Sequence, residues 1–108
     1  MKKKMIGIAA VTLLTLTGAT RADSGMDFYR MCGTGLTAGF LNRDYCHGYL
    51  WGIAVGLHES RQICMQPGTT DTQVVMVVQD WLRAHPQNLN RPANYMIRNA
   101  LVAAWPCN

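Results

Sequence analysis

The residues with the greatest capacity for chemistry lie between Asp44 and Pro67, a stretch that holds Cys46, Cys64, His47 and His58 with the acids Asp44 and Glu59. Cys46 is followed at once by His47, so thiol catalysis is the first possibility. On a helix, however, adjacent side chains point about 100° apart and cannot form a nucleophile–base pair. A metal site is the second possibility. His47 and His58 project to the same side of such a helix, but they lie roughly 16 Å apart along its axis and cannot share an ion unaided. Of the seven methionines, Met1 and Met5 belong to the leader described below, and the others are scattered as filler rather than clustered as copper ligands. The carboxylates are spread along the chain with no pair on a shared face, and no Gly-rich phosphate loop follows a strand. The sequence therefore predicts no catalytic residue, no metal ligand and no cofactor, and it reads as a binding protein rather than an enzyme.

The elements that hold these residues begin after a leader. Lys2, Lys3 and Lys4 precede an apolar run from Met5 to Leu16, and Thr17 to Ala22 supplies small residues for cleavage. That is the three-part pattern of a secretory signal peptide over residues 1–22, and the run is too short to span a bilayer comfortably. Removing it changes the charge argument. The formal charge of +4 comes from Lys2, Lys3, Lys4 and Arg21. The mature chain, 23–108, sets Arg30, Arg43, Arg61, Arg83, Arg91 and Arg98 against Asp23, Asp27, Asp44, Glu59, Asp71 and Asp80, which balances. A nucleic-acid or anionic-membrane footprint has no support. A single domain of this size is marginal on its core alone. The four cysteines, all retained in an exported chain, read as two disulfides. No second apolar span follows.

The mature chain predicts four helices. Ser24 caps the first, from Gly25 through Cys32, and Gly33 to Asn42 reads as a loop. The second runs from Asn42 to Arg61 with Tyr49, Ile53, Cys46, Leu57 and Leu50 in one arc facing the core. Gly48, Gly52 and Gly56 form a neighbouring stripe. Glycine inside a helix costs about 1 kcal/mol against alanine, and close approach of another backbone is the expected offset. Pro67-Gly68 marks a turn. Thr70-x-x-Gln73 is a capping box for the third helix, with Val74, Val75, Val78, Trp81 and Leu82 at helical spacing. The β-branched run would also suit a strand, but the cap and the later Trp81-Leu82 favour helix. Pro86 ends it. Asn90 is the expected cap of the fourth helix, whose buried face is Ala93, Met96, Ile97, Ala100, Leu101 and Ala104. Its alanines suit packing against the glycine stripe. The fold class is all-α, a small bundle of about four helices. Short connections place the ends of the second and fourth helices together, which pairs Cys64 with Cys107. Cys32 then meets Cys46 across the first connection.

What remains is surface. Arg91, Tyr95, Arg98, Val102 and Trp105 form the fourth-helix face opposite its alanines, and Arg, Tyr and Trp dominate interface energies. The connections Gln62–Thr70 and Pro86–Asn90 are tethered at both ends and can present preformed contacts. The candidate partner-binding residues are Arg61, Gln62, Met65, Gln66, Gln87, Asn88, Tyr95, Arg98 and Trp105. An ordinary amphipathic surface is the competing reading.

The ordered set of motifs is more specific than any one of them. It comprises Cys32, then Cys46-His47-Gly48-Tyr49 with Gly52, then Cys64-Met65-Gln66-Pro67-Gly68-Thr69. It continues through Gln73-Val74-Val75 and Trp81-Leu82-Arg83-Ala84-His85-Pro86 to Ala103-Ala104-Trp105-Pro106-Cys107. This set resembles the type VI amidase immunity (Tai) family, also called resistance-associated proteins, over nearly all of the mature chain. The resemblance implies a small periplasmic helical protein, often a homodimer, that binds a peptidoglycan amidase effector of a type VI secretion system. A loop or helix end would occlude the enzyme's Cys-His groove. The shared cysteines and glycines are framework, and no family pattern covers Gly33 to Phe40. A helical acid-stress chaperone of the periplasm is the alternative, disfavoured because such proteins are Lys-rich and the mature chain has no lysine. Another envelope binding or inhibitor domain is the third reading.

Overall fold

Local chemistry sets where each helix begins and ends. The computed structural model describes residues 24–32 and 40–108. Among them are four α-helices, α1 (Gly25–Cys32), α2 (Phe40–Glu59), α3 (Asp71–Ala84) and α4 (Ala93–Ala104), with a short 3-10 turn at Pro86–Asn88. The predicted leader, and the part of the predicted loop from Gly33 to Gly39, lie outside the described residues. Ser24 caps α1 as expected: its hydroxyl accepts the Asp27 N–H at 3.1 Å while the Asp27 carboxylate accepts the Ser24 N–H at 3.5 Å. The capping box of α3 is complete in both directions between Thr70 and Gln73. The second helix starts and stops two residues earlier than expected.

The start of α4 differs from the sequence reading. Its N-cap is Pro92, not Asn90, and no side chain caps it. The reason is tertiary: the backbone just before α4 is held by the start of α1. Gly25 N–H donates to the Arg91 carbonyl at 2.7 Å and Met26 N–H to the Leu89 carbonyl at 2.7 Å. A Cβ on Gly25 would sit 3.1 Å from Met96 Cγ and 3.2 Å from the Leu89 carbonyl oxygen. The close backbone approach that the sequence assigns to α2 occurs here instead.

Packing follows the chain, α2 on α3 and α3 on α4, with α1 touching all three. The core holds Phe28 and Cys32; Cys46, Leu50 and Ala54; Val74, Val75, Val78 and Leu82; and Ala93, Met96, Ile97, Ala100 and Leu101. Ile63 and Leu89 join it from the connections. Three further expectations fail. Tyr49 is exposed, with Ala54 buried in its stead; its ring lies 5.6 Å from that of Tyr45 and 5.9 Å from Phe28, and the polar end of a tyrosine favours such a wet edge. Ala104 is exposed. The glycine stripe is also uncovered. Nothing lies within 4 Å of where a Cβ would sit on Gly48, Gly52 or Gly56, because these residues fall about 200° around the helix from the buried line Cys46–Leu50–Ala54. α4 packs against α3 and α1 instead.

Both disulfides are those expected. Cys32–Cys46 ties α1 to α2, and Cys64–Cys107 joins the segments that follow α2 and α4, with Cα separations of 5.7 and 5.0 Å. The Cys64 N–H also donates to the Trp105 carbonyl at 2.9 Å, fixing the same corner by backbone. No helix among the described residues is long and apolar enough to cross a membrane.

Candidate functional site

The surface begins where α2 ends. Gln62 N–H reaches back to the Leu57 carbonyl at 2.8 Å and Arg61 N–H to the His58 carbonyl at 3.1 Å, the paired bonds that close a helix through one left-handed residue. That residue is usually glycine. Here it is Arg61, with φ of 64°, at a backbone cost of about 1 kcal/mol relative to glycine. The turn drives Ile63 into the core with no exposed surface and leaves Arg61 and Gln62 outside.

From this corner a row of side chains continues along α4. Arg98 Nε donates to Gln62 Oε1 at 3.1 Å, and the Gln62 amide donates to Ser60 Oγ at 3.1 Å. One turn back along α4, Tyr95 is 43% exposed, and the Arg91 guanidinium lies 4.3 Å above its ring. Arg91 N–H is in turn fixed by the Asn88 carbonyl at 2.9 Å. The structure thus joins Gln62 to Arg98 and Tyr95 to Arg91 along one side of α4, and Arg61 adjoins this strip as the chain neighbour of Gln62. Trp105 is half-buried against the core. Gln87 is exposed and Asn88 half-buried in the 3-10 turn at the Arg91 end. Met65 and Gln66, with Trp51, Val55, His58, Glu59 and Pro67, line an open hollow of ≈ 270 Å³ that shares His58 and Glu59 with the hollow beside Arg61.

The strip is cationic. Among the described residues Arg30 pairs with Asp27, His47 with Asp71 and Arg83 with Asp80, while Arg61, Arg91 and Arg98 make no ion pair. Glu59 shares a hollow with Arg61, His58 and Cys64 without pairing with that arginine. The histidines hold structure. His47 Nδ1 lies 3.1 Å from Asp71 Oδ2, and this hydrogen bond holds the Asp71 carboxyl below its ordinary value of 3.8. His58 Nδ1 accepts the Met65 N–H at 3.2 Å, which requires that nitrogen to be unprotonated. No three His, Cys, Asp or Glu side chains among the described residues converge as a metal would need.

The sequence reading missed a second concavity. A shallow groove of ≈ 370 Å³ between α3 and α4 is lined by Val77, Asp80, Trp81, Ala84, His85, Ala100, Ala103 and Ala104. Within this lining the Trp81 and His85 rings stack with centroids 3.9 Å apart. Small residues spaced for helix packing were the only signal, and they read equally well as a closed contact.

A family model described as Rap1a immunity proteins matches residues 24–107. Neither the curated proteins nor the solved structures give a significant match.

Proposed function

Since the chain belongs to the Rap1a immunity proteins, a type VI effector immunity family, we propose that it is a periplasmic immunity protein that binds and occludes a peptidoglycan amidase effector of a type VI secretion system. The observation that carries the immunity assignment is the match over residues 24–107; the amidase rests on the resemblance of the ordered motifs from Cys32 to Cys107. Residues 1–22 act as a cleavable signal peptide and 23–108 as the mature domain. Two disulfides support the periplasm, because such bonds persist in oxidising compartments. The protein acts by contact and not by catalysis. The connection from Gln62 to Thr70, fixed by Cys64–Cys107, and the adjoining α4 row are ordered before binding, so little freedom is lost when they meet a groove. Contacts are assigned to Arg61, Gln62, Met65, Gln66, Gln87, Asn88, Tyr95, Arg98 and Trp105.

A homodimer accompanies this reading. The bare stripe Gly48–Gly52–Gly56 beside exposed Tyr45 and Tyr49 supports it, since two such faces can approach closely.

The test uses the mature chain as bait against a panel of purified Cys-His peptidoglycan amidases from type VI systems. One amidase should be retained and its cleavage of peptidoglycan stem peptides blocked near one-to-one stoichiometry. Retention of a lipase or muramidase effector, with every amidase unaffected, would remove the amidase from the reading.

A further inference from the structure

The choice of arginine at position 61 needs an explanation. Its left-handed backbone, φ of 64°, is one that glycine or asparagine adopts more readily. The side chain is exposed and makes no ion pair among the described residues. The turn closes α2 and buries Ile63, but nothing in it requires arginine, and an exposed cation kept at a backbone outlier points towards function. Arg61 also does not stand alone. Beside it Gln62 holds the exposed Arg98 by its Nε at 3.1 Å, and the terminal nitrogens of that guanidinium have no partner among the described residues. Tyr95 holds Arg91 by its ring at 4.3 Å. Neutral partners thus position two of the cations without cancelling their charge.

We propose that Arg61, Arg98 and Arg91 form a carboxylate-binding strip that receives an acidic segment of the effector, with Arg61 the contact that sets specificity. The inference rests on the immunity reading and deepens it by giving the partner's chemistry. Guanidinium forks match carboxylates two bonds at a time, and holding them in place beforehand reduces the ordering cost of that match. Opposite charge across the contact also steers encounter and makes association sensitive to salt. A protein partner fits better than a lipid surface. The cations alternate with Tyr95 and Gln62, as interface cores do, whereas anionic membranes are held by dense lysine and arginine clusters.

The experiment takes the amidase retained by the mature chain and measures its affinity at about 50 and about 500 mM NaCl for the parent, Arg61→Gly, Arg61→Asn and Arg98→Gln. Arg61→Gly and Arg61→Asn should each weaken binding about tenfold or more, while the melting temperature of Arg61→Gly stays at or above the parent's, so that misfolding is not the cause. The loss of affinity on adding salt should be smaller in each variant than in the parent. Equal binding by parent and variants overturns the strip and leaves the immunity reading standing. Binding of the parent to phosphatidylglycerol vesicles, lost in the same variants while amidase affinity is kept, overturns it in favour of a lipid surface. Retention of no amidase by the parent overturns the strip as an amidase contact and removes the amidase from the reading, while the family membership stands.

Discussion

At the residue scale, polar side chains divide into those that hold the fold and those that face outward, and geometry makes the division. His47, which helix geometry had already kept from acting on Cys46, is bonded to Asp71 at the start of the next helix. That bond lowers the folded pKa of Asp71. A group depressed in this way adds stability that is present above its unfolded value, near 3.8, and lost as the pH falls through its lower folded value. Asp71→Asn should therefore flatten the acid limb: between about pH 4 and about pH 2.5 its melting temperature should fall less than the parent's. Parallel melts for the two proteins would mean that the pair does not contribute. The effect will be small, because both groups are solvent-accessible. Arg61 shows the opposite case. Its residue type gave no hint of a left-handed backbone, since helix closure at that position is a property of the turn.

At the scale of elements, the capping signals were legible and the faces were less so. Ser24, Thr70, Gln73 and Pro86 act within a few residues, so the chain alone fixes where α1 and α3 begin and where α3 stops. The face that α2 buries depends on where α1 and α3 lie, which moved the core line from Tyr49 to Ala54 and left the glycines bare. Because no atom lies within 4 Å of a Cβ built there, Gly52→Ala should stabilise the monomer by about 1 kcal/mol through helix propensity. Urea unfolding at low protein concentration measures this. If the glycine face joins two copies, Gly52→Leu should also shift sedimentation towards monomer. A destabilised Gly52→Ala would show that the face is covered in solution.

At the scale of the whole molecule, the two disulfides do unequal work. Cys32–Cys46 closes a separation of 14 residues and Cys64–Cys107 one of 43. On the chain-entropy view the second contributes about 4 kcal/mol and the first about 3 kcal/mol. The first is buried in the core while Cys64 and Cys107 are exposed. Mild reduction should open Cys64–Cys107 first, and the double change Cys64→Ser with Cys107→Ser should lower stability by about 4 kcal/mol in denaturant unfolding. It should also free the Gln62–Thr70 connection and weaken effector binding. Unchanged stability would show that the Cys64 N–H bond to Trp105 and the burial of Ile63 suffice to hold that corner.

The sequence by itself determined the all-α class, the caps of α1 and α3, the pairing of the four cysteines and the family resemblance. Each of these depends on residue type at short spacing, or on which chain ends a small bundle brings together. Only the tertiary structure decided which face of α2 is covered, that the Arg91–Pro92 segment is pinned by α1, and that Gln62 reaches Arg98 to turn separate candidates into one cationic strip. Those outcomes depend on contacts between residues far apart in the chain. Periodicity fixes how side chains are arranged around one helix, but not which neighbour fills the space beside it.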